Sequence, residues 1–561
     1  MKLRSRQGPF LRHVDTWFSV LLPRIKPLLY HNGGPIITAQ VENEYGFFGC
    51  DHVYMEMMRD MMRQHLGPEV VLFTIDQANE HVLKCGTVAG AYATIDFRTD
   101  GDDVNVEEAF AVLRKHDKRA PLVNSEFYPG WYDRWSERHH TISKERIADL
   151  TDRILSLNAS VNIYMLAGGT SFGFTSGSNL ESGDTFRPIT TGYDFDSPVS
   201  EAGDITPKFY AMKQVIRKHL PSPEQEVPPS SEKAKYGKVD MGCFLMDLFQ
   251  FSSQFSRVIE SQNPLTFENV SQAHGFLLYS TQVPVQPSDP AVLRVQGLHD
   301  RGIVFVNQVF AGILSRMEKI DQVPIQVAKG DTIHILVENQ GRVCFGQGIS
   351  ELKGITGKVT LGPVQLKNWK TATIPLDHIQ DKMSNQSCQQ VPVPRGRPAF
   401  YRSIFAIPHE PQDTFLKLEN WSKGVALMNG FNLGRYWPTA GPQQTLYVPK
   451  HVLNGINELI LFELQATPCS DASSKEADCF AEFVDYHQLD GPVDYLDPVN
   501  GRSYFLSGII SRLILCSLIF LSLIALIGLV NIRVIRMREA RTFGYVKFKE
   551  GSSNKIHIVN A

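Results

Sequence analysis

The sequence has few cysteines, almost no net charge and no nucleotide-binding or zinc-protease signature. Eight cysteines in 561 residues are too few for a disulfide scaffold. A net charge of −3 without a basic patch gives no electrostatic reason to expect nucleic acid as a partner. Neither Gly-x-Gly-x-x-Gly nor His-Glu-x-x-His occurs in the chain. We therefore expect no nucleic-acid partner, no cofactor and no metal site.

Long apolar runs are also scarce, and one of them has the length of a membrane span. Residues 513–532 are 20 residues without a charge. The following tail, residues 533–561, has seven basic and two acidic residues, whereas residues 481–512 have five acidic and two basic ones. This asymmetry predicts a single-pass protein with a cytosolic tail and a luminal or extracellular N-terminal part, in a lysosome or at the cell surface. Asn-x-Ser sequons agree with a secretory route, at Asn158, Asn269, Asn385 and Asn420.

The first 219 residues alternate between strand and helix patterns, which predicts βαβ units and a parallel sheet. The predicted strands are residues 35–41, 70–74, 91–97, 121–126 and 160–166. The predicted helices are residues 11–30, 53–66, 79–85, 106–115, 143–157 and 208–219, with Pro23 and Pro27 expected to kink the first. Five strands are fewer than the eight of a closed barrel, so we interpret them as the last five of an incomplete (β/α)8 TIM barrel.

Beyond residue 219 the helical period ends and short alternating strands predominate. Residues 220–235 are a proline-rich linker, residues 236–375 a first β-domain, residues 376–399 a second linker and residues 400–490 a second β-domain. The predicted class is α/β plus all-β, with two sandwich or jelly-roll domains after the partial barrel.

Two glutamates follow predicted barrel strands, 82 residues apart, at Glu44 and Glu126. The carboxyl ends of parallel strands are where barrel enzymes keep their catalytic groups. Two carboxyl groups with different tasks are what glycoside hydrolysis needs: one protonates the leaving oxygen and the other attacks the sugar or activates water. Strand alternation leaves Glu42 as a competitor for the role of Glu44, and it turns Asn43 to the opposite face.

Several motifs resemble glycoside hydrolase family 35, the lysosomal-type acid β-galactosidases. The motifs are residues 33–46 (GGPIITAQVENEYG), 124–131 (NSEFYPGW), 160–165 (SVNIYM), 168–172 (GGTSF), 193–196 (YDFD), 200–203 (SEAG), 297–301 (GLHDR) and 430–437 (GFNLGRYW). The likeness covers about residues 10–485. It implies a retaining exo-β-galactosidase on a barrel followed by two β-domains, acting on terminal β-galactose of glycans.

The resemblance also implies roles for individual residues. It makes Glu44, rather than Glu42, the acid/base and Glu126 the nucleophile, and Asn43 a ligand of the sugar 2-hydroxyl. The positions expected around the galactose are Tyr128, Trp131, Tyr164 and Phe195. The implied disulfides are Cys50–Cys85 and Cys469–Cys479. A retaining mechanism predicts carboxyl groups about 5–5.5 Å apart.

Three departures from the family pattern accompany these expectations. Phe195 replaces a sugar-contacting tyrosine, which removes one hydroxyl and about 0.5–1.5 kcal/mol of binding. The membrane segment is an addition. The first three barrel strands and a signal peptide are missing, so we expect an N-terminally truncated chain. An inactive, truncated membrane glycoprotein that keeps the carbohydrate-binding-like β-domains is the alternative reading, and homo-oligomerisation is left open.

Overall fold

The computed structural model describes residues 1–491, apart from residues 102–103, 222, 224, 390–395, 466–467 and 470–478. In this part of the chain no helix is both long and apolar enough to cross a membrane. The predicted membrane helix, residues 513–532, and the tail, residues 533–561, lie outside the described residues, so the membrane anchor stays a prediction.

A parallel sheet of five strands, flanked by helices, occupies the first 219 residues. The strands pair in chain order, each parallel to the next. They are β1 Ala39–Gln40, β2 Leu72–Gln77, β3 Tyr92–Phe97, β4 Val123–Phe127 and β5 Ser160–Ile163. The helices are α1 Gly8–Ile25, α2 Tyr45–Phe48, α3 His52–Leu66, α4 Glu80–Gly86, α5 Val106–His116, α6 Lys144–Ser156 and α7 Pro207–His219. The prediction of five parallel strands from a partial barrel is confirmed.

Four of these helices begin where a side chain can satisfy the first backbone N–H groups. Asp51, Asn79, Asn105 and Ser143 each accept a hydrogen bond from the backbone of the helix that follows. The faces of α5 and α6 that are turned to the sheet bury Phe110, Leu113, Ile147, Leu150 and other apolar residues against Ile95 and Phe127. This burial is the main stabilising contribution to the sheet, because capping adds only about 1 kcal/mol per helix.

The first helix is shorter than predicted. It accommodates Pro23 in its last turn but ends at Ile25, and residues Lys26–Leu28 form a 3₁₀ turn. Pro27 has no N–H for an intrahelical hydrogen bond and its ring clashes with the preceding turn, so the helix cannot continue to residue 30.

Two small antiparallel pairs follow β5, and the sequence did not predict them. They are β6 Gly169–Thr170 with β9 Gly192–Tyr193, and β7 Ser178–Glu181 with β8 Thr185–Pro188. The segment after β9 carries Phe195, so these pairs hold part of the predicted sugar pocket in place.

Strands are the predominant regular element among the described residues from 237 to 484. The strands are β10 Gly237–Asp240, β11 Cys243–Asp247, β12 Val258–Ser261, β13 Phe276–Gln282, β14 Ala291–Val295, β15 Leu298–His299, β16 Arg301–Val306, β17 Val309–Ser315, β18 Gln322–Ile325, β19 Thr332–Glu338, β20 Gly354–Ile355, β21 Val359–Leu361, β22 Val364–Gln365, β23 Trp369–Ile374, β24 Ala399–Ala406, β25 Thr414–Lys417, β26 Gly424–Met428, β27 Phe431–Tyr436, β28 Thr445–Val448, β29 Ile456–Glu463 and β30 Phe480–Val484. Two helices interrupt them, α8 Leu248–Phe255 and α9 Ile379–Met383.

These strands form two layered β-units. In the first, a six-stranded sheet (β12-β23-β13-β19-β16-β17) and a four-stranded sheet (β18-β14-β21-β22) share one apolar core. In the second, a five-stranded sheet (β11-β24-β29-β26-β27) and a four-stranded sheet (β10-β30-β25-β28) share another. Alternating burial along strands such as β14 is the pattern of a sandwich strand with one solvated face.

The first two strands after the linker pair with strands of the second β-unit. The sequence places residues 237–247 in the first β-domain, residues 236–375, but β10 pairs with β30 and β11 with β24 of the second unit. Val239, Met241 and Phe244 are buried in the core of that unit, which is why the pairing is favoured. A disulfide between Cys243 and Cys388, which the sequence did not predict, ties β11 to the second linker.

Candidate active site

Glu44 lies just after β1, at the carboxyl edge of the parallel sheet. The strand ends at Gln40, and both Glu42 and Glu44 have left-handed backbone conformations, with φ of 60° and 46°. Strand alternation therefore stops before these residues, and the two carboxyl groups need not share a face. Glu44 is the residue that precedes α2.

Glu42 is engaged in an ion pair. Arg4 donates to Glu42 Oε2 at 2.7 Å and to Glu42 Oε1 at 3.2 Å, and the Tyr54 hydroxyl also donates to Oε1. These contacts hold the carboxylate against α3. Glu44 is instead close enough to Glu126 for that carboxyl's charge to raise its pKa. The two carboxyl groups thus lie in different environments, and the assignment of the acid/base to Glu44 stays a prediction.

Glu126 lies on β4 and shares a tyrosine with Asp96 of β3. The Tyr128 hydroxyl hydrogen-bonds Asp96 Oδ2 at 2.8 Å and Glu126 Oε2 at 2.9 Å. The Asp96 side chain in turn neighbours Glu44. Asp96 therefore connects the two predicted catalytic carboxyl groups, a role that the sequence did not predict.

Burial raises the pKa values of this group of carboxyl groups. It is the largest cause that raises the pKa of Glu44 to about 9, with the charge of Asp96 as the next. Burial raises the pKa of Asp76, at the end of β2, to about 7, although the Gly46 N–H donates to it at 2.8 Å. The pKa values of Asp96 and Glu126 are raised by burial too, and the Tyr128 hydrogen bond opposes the shift at both. Glu44 is thus a proton donor near neutral pH.

A raised carboxyl pKa predicts a pH-dependent stability. The folded chain keeps protons on Asp76 and Glu44 that the unfolded chain releases near pH 4, so the unfolded state binds fewer protons and stability falls as pH rises. We expect the loss between pH 4 and about 7 for Asp76, and up to about 9 for Glu44. Melting temperatures of the full chain from pH 5 to 9 measure this, and Asp76→Asn and Glu44→Gln should each flatten the decline. A melting temperature that rises with pH would contradict it.

Four aromatic residues predicted around a sugar are in mutual contact. Tyr128 packs on Trp131 at 5.0 Å and on Tyr164 at 6.1 Å between ring centroids, and Phe195 lies 5.6 Å from Tyr164 and 5.7 Å from Trp131. Phe195 is buried, with 2% of its surface exposed. The structure therefore brings the four predicted rings together, and whether they bind a sugar stays a prediction.

Two further tyrosines belong to the same group of rings. Tyr132 stacks on Trp131 at 4.9 Å, and Tyr193 stacks on Phe195 at 5.3 Å. The Tyr193 and Tyr164 hydroxyls are 3.4 Å apart. Tyr193 stands in the same YDFD motif as Phe195, so that motif was a signal that could have pointed to it.

The remaining predicted site residues are placed as follows. Asn43 is exposed next to Glu44, and its side-chain oxygen accepts a hydrogen bond from Gln40 at 2.8 Å. The predicted disulfides Cys50–Cys85 and Cys469–Cys479 are both present. All four sequon asparagines are exposed, namely Asn158, Asn269, Asn385 and Asn420. Among the described residues, no group of three or more His, Cys, Asp or Glu side chains could hold a metal ion.

Comparison with protein-family models gives three matches along the chain. Residues 1–219 match glycosyl hydrolases family 35. Residues 264–377 match the first all-beta domain of beta-galactosidase, and residues 398–457 match the beta-galactosidase galactose-binding domain. The order of the three matches is the order of the parallel sheet and the two β-units.

Curated relatives are similar over most of the chain. It is 42% identical to the beta-galactosidase of Bos taurus over 505 residues, which are 86% of this chain and 76% of that protein. It is 41% identical to the beta-galactosidase of Homo sapiens, over 88% of this chain and 75% of that protein. It is 43% identical to the beta-galactosidase-1-like protein of Mus musculus, over 83% of this chain and 72% of that protein.

Proposed function

The chain belongs to glycosyl hydrolases family 35 and is a glycoside hydrolase, and we propose that it removes terminal non-reducing β-D-galactose from glycans with retention of configuration. The observation that carries the proposal is the connected pair of carboxyl groups, Glu44 and Glu126. One is a protonated acid near neutral pH, and the other accepts a hydrogen bond from Tyr128. Two carboxyl groups in unlike environments are what double displacement needs.

In the first step Glu44 protonates the glycosidic oxygen while Glu126 attacks the anomeric carbon. The bond to the leaving group breaks, and a galactosyl ester forms on Glu126. Glu44 is now ionised and takes a proton from water, whose oxygen attacks the same carbon and releases Glu126. Two inversions give net retention, and Glu44 ends the cycle protonated, as it began.

Neighbouring groups prepare each carboxyl for its step. The Tyr128 hydrogen bond lowers the pKa of Glu126 against the effect of burial, which keeps a fraction of the nucleophile ionised. The negative charge of Asp96 does the reverse for Glu44, where it favours the protonated form. Asp96 and Tyr128 thus drive the two pKa values apart, and the aromatic group provides surfaces for the galactose ring.

Tyr128→Phe tests this arrangement. It removes the hydroxyl shared by Glu126 and Asp96, so we expect kcat to fall by about tenfold to a hundredfold. The pKa of Glu126 should rise, and the acid limb of kcat/KM should move to higher pH. Tyr279→Phe, which removes a buried hydroxyl bonded to Leu265 O in the first β-unit, is the matched control. A Tyr128→Phe enzyme with an unmoved acid limb would contradict the role.

Hydrolysis itself is tested with the full chain. We expect turnover of a chromogenic β-galactoside, little turnover of the matching β-glucoside, and β-galactose as the first anomer seen by NMR. A folded chain without turnover would instead favour an inactive membrane glycoprotein that keeps the β-domains. α-Galactose as the first product would rule out retention and leave the glycosidase assignment intact.

The site is expected to face a lumen or the extracellular space. Three disulfides among the described residues favour an oxidising compartment. The predicted membrane helix at residues 513–532 and the cytosolic tail would attach this part to a membrane, and the four sequons are exposed for glycosylation. Protease protection of the tail in sealed microsomes, together with a glycosidase-sensitive shift of the N-terminal part, would establish this topology.

A further inference from the structure

A loop of the first β-unit reaches the parallel sheet beside Glu44. Phe345 stacks on Phe47 with 4.8 Å between ring centroids and 22° between the ring planes. Phe47 is 48% exposed, so one side of this pair is open to solvent. The exposed aromatic surface is therefore available for contact with a ligand.

The loop that carries Phe345 is fixed by backbone hydrogen bonds. The Ser178 N–H donates to Arg342 O at 2.9 Å, and the Cys344 N–H donates to Ser178 O at 3.0 Å. Arg342 Nη1 also donates to Glu268 at 2.7 Å. The backbone directly before Phe345 is therefore held in place, which limits the entropy lost when a ligand binds.

The same loop borders the aromatic group of the candidate site. The Tyr132 hydroxyl donates to Asn179 Oδ1 at 2.9 Å, and the preceding residue, Ser178, is the one whose backbone bonds Arg342 and Cys344. Phe345 thus follows a segment tied to the aromatic group and stacks on Phe47. The first β-unit reaches the carboxyl edge of the sheet at this point.

The position of the acid indicates which part of a substrate the Phe47–Phe345 pair contacts. A general acid must reach the glycosidic oxygen, so the leaving group lies on its side of the scissile bond. Phe47 is three residues from Glu44 in the same turn, and the Phe47 N–H donates to Glu44 O at 3.2 Å. Glu44 has a left-handed backbone and directly precedes α2, so the acid and the Phe47 ring start within one turn of each other. The Phe47–Phe345 pair therefore flanks the leaving group.

We propose that Phe47 and Phe345 form a leaving-group subsite that stacks on the apolar face of the next sugar ring of a β-galactosyl glycan. This inference rests on the proposed function and extends it from the terminal galactose to the sugar that bears it. A pyranose presents a face of C–H groups that matches a flat aromatic surface, whereas a methyl leaving group is too small to cover either ring. The enzyme should accordingly prefer β-galactosyl disaccharides over methyl β-galactoside.

Phe345→Ala in the full chain tests the subsite with lactose and methyl β-galactoside as probes. Removal of one stacking ring should raise KM for lactose about three- to tenfold. KM for methyl β-galactoside and inhibition by free galactose should stay within about twofold, because neither molecule has a second sugar ring to occupy the leaving-group subsite. Phe310→Ala, an exposed phenylalanine on β17 of the same unit, is the matched control and should change neither substrate.

The possible outcomes distinguish a leaving-group subsite from a ring that only supports the site. If lactose and methyl β-galactoside weaken equally in Phe345→Ala, the ring only supports the site and the subsite is wrong. Phe345→Leu, which keeps apolar volume without a flat ring, should still lose lactose selectivity and covers the case in which the alanine variant does not fold. An unchanged lactose preference in both variants overturns the subsite while leaving galactosidase activity intact. Failure of the unmodified chain to cleave either probe overturns the proposed function, and the subsite with it.

Discussion

Glu126→Gln is expected to lower kcat for a β-galactoside by a factor on the order of 10⁴ or more. The amide is isosteric with the carboxyl group and still accepts the Tyr128 hydrogen bond, so the fold should survive. It cannot form the ester on which double displacement depends, and loss of a covalent nucleophile is among the largest single effects in enzyme catalysis. Single-turnover measurements, with melting temperature as a check on folding, give the comparison.

Azide provides a sharper test of the same assignment. In Glu126→Gly the side chain is absent, and azide can attack the anomeric carbon from the face that the carboxylate occupied. One displacement inverts the configuration, so the product should be α-galactosyl azide. Two results would show that Glu126 is not the nucleophile. One is formation of β-galactosyl azide by this variant, and the other is hydrolysis at the rate of the unmodified enzyme with no effect of azide.

Much of the parallel sheet could be predicted because each strand is a short apolar run with a helix pattern on either side. The predicted strand at residues 91–97 is observed as Tyr92–Phe97, and the one at residues 121–126 as Val123–Phe127. The first strand was predicted too long. Only Ala39–Gln40 pair with β2, because the left-handed residues that follow turn the chain out of the sheet.

Contacts between distant parts of the chain could not be predicted from local pattern. Asp96 and Asp76 lie in predicted strands or directly after them. The sequence alone does not indicate which acids come close to Glu44, because that depends on how the strands pair. Phe345 meets Phe47 only because the first β-unit packs on the sheet. The sequence pattern of residues 237–247 predicts strands but does not indicate which β-unit they belong to. The pairing of β10 and β11 shows that they join the second unit.

The choice between Glu42 and Glu44 shows what local sequence pattern can predict and what only contacts in the folded chain can add. Spacing alone left both open, and the family resemblance selected Glu44 by motif. The structure places the two residues in different environments: Glu42 is held by Arg4 and Tyr54, whereas burial and the charge of Asp96 raise the pKa of Glu44 to about 9. The two residues should therefore respond differently to substitution.

Glu44→Ala is expected to slow hydrolysis most for substrates whose leaving group must be protonated to depart. For lactose, whose leaving group is a poor one, kcat/KM should fall by about 10²–10⁴, the usual contribution of general acid catalysis. For dinitrophenyl β-galactoside, whose leaving group departs without a proton, galactosylation should be nearly unimpaired. A burst of dinitrophenol should appear and then stall, since no base remains to activate water for release of the ester. Stopped-flow absorbance measures both phases.

Two comparisons make the Glu44 assignment decisive. Azide needs no general base, so it should relieve the stalled phase in Glu44→Ala and yield β-galactosyl azide, with the configuration retained because it attacks the ester on Glu126. Glu42→Gln should lose stability through its contacts with Arg4 and Tyr54, yet show the same dependence on leaving group as the unmodified enzyme. If the selective loss and the azide rescue followed Glu42 instead, the acid/base would be Glu42, and the protonated Glu44 would be a structural acid held by Asp96.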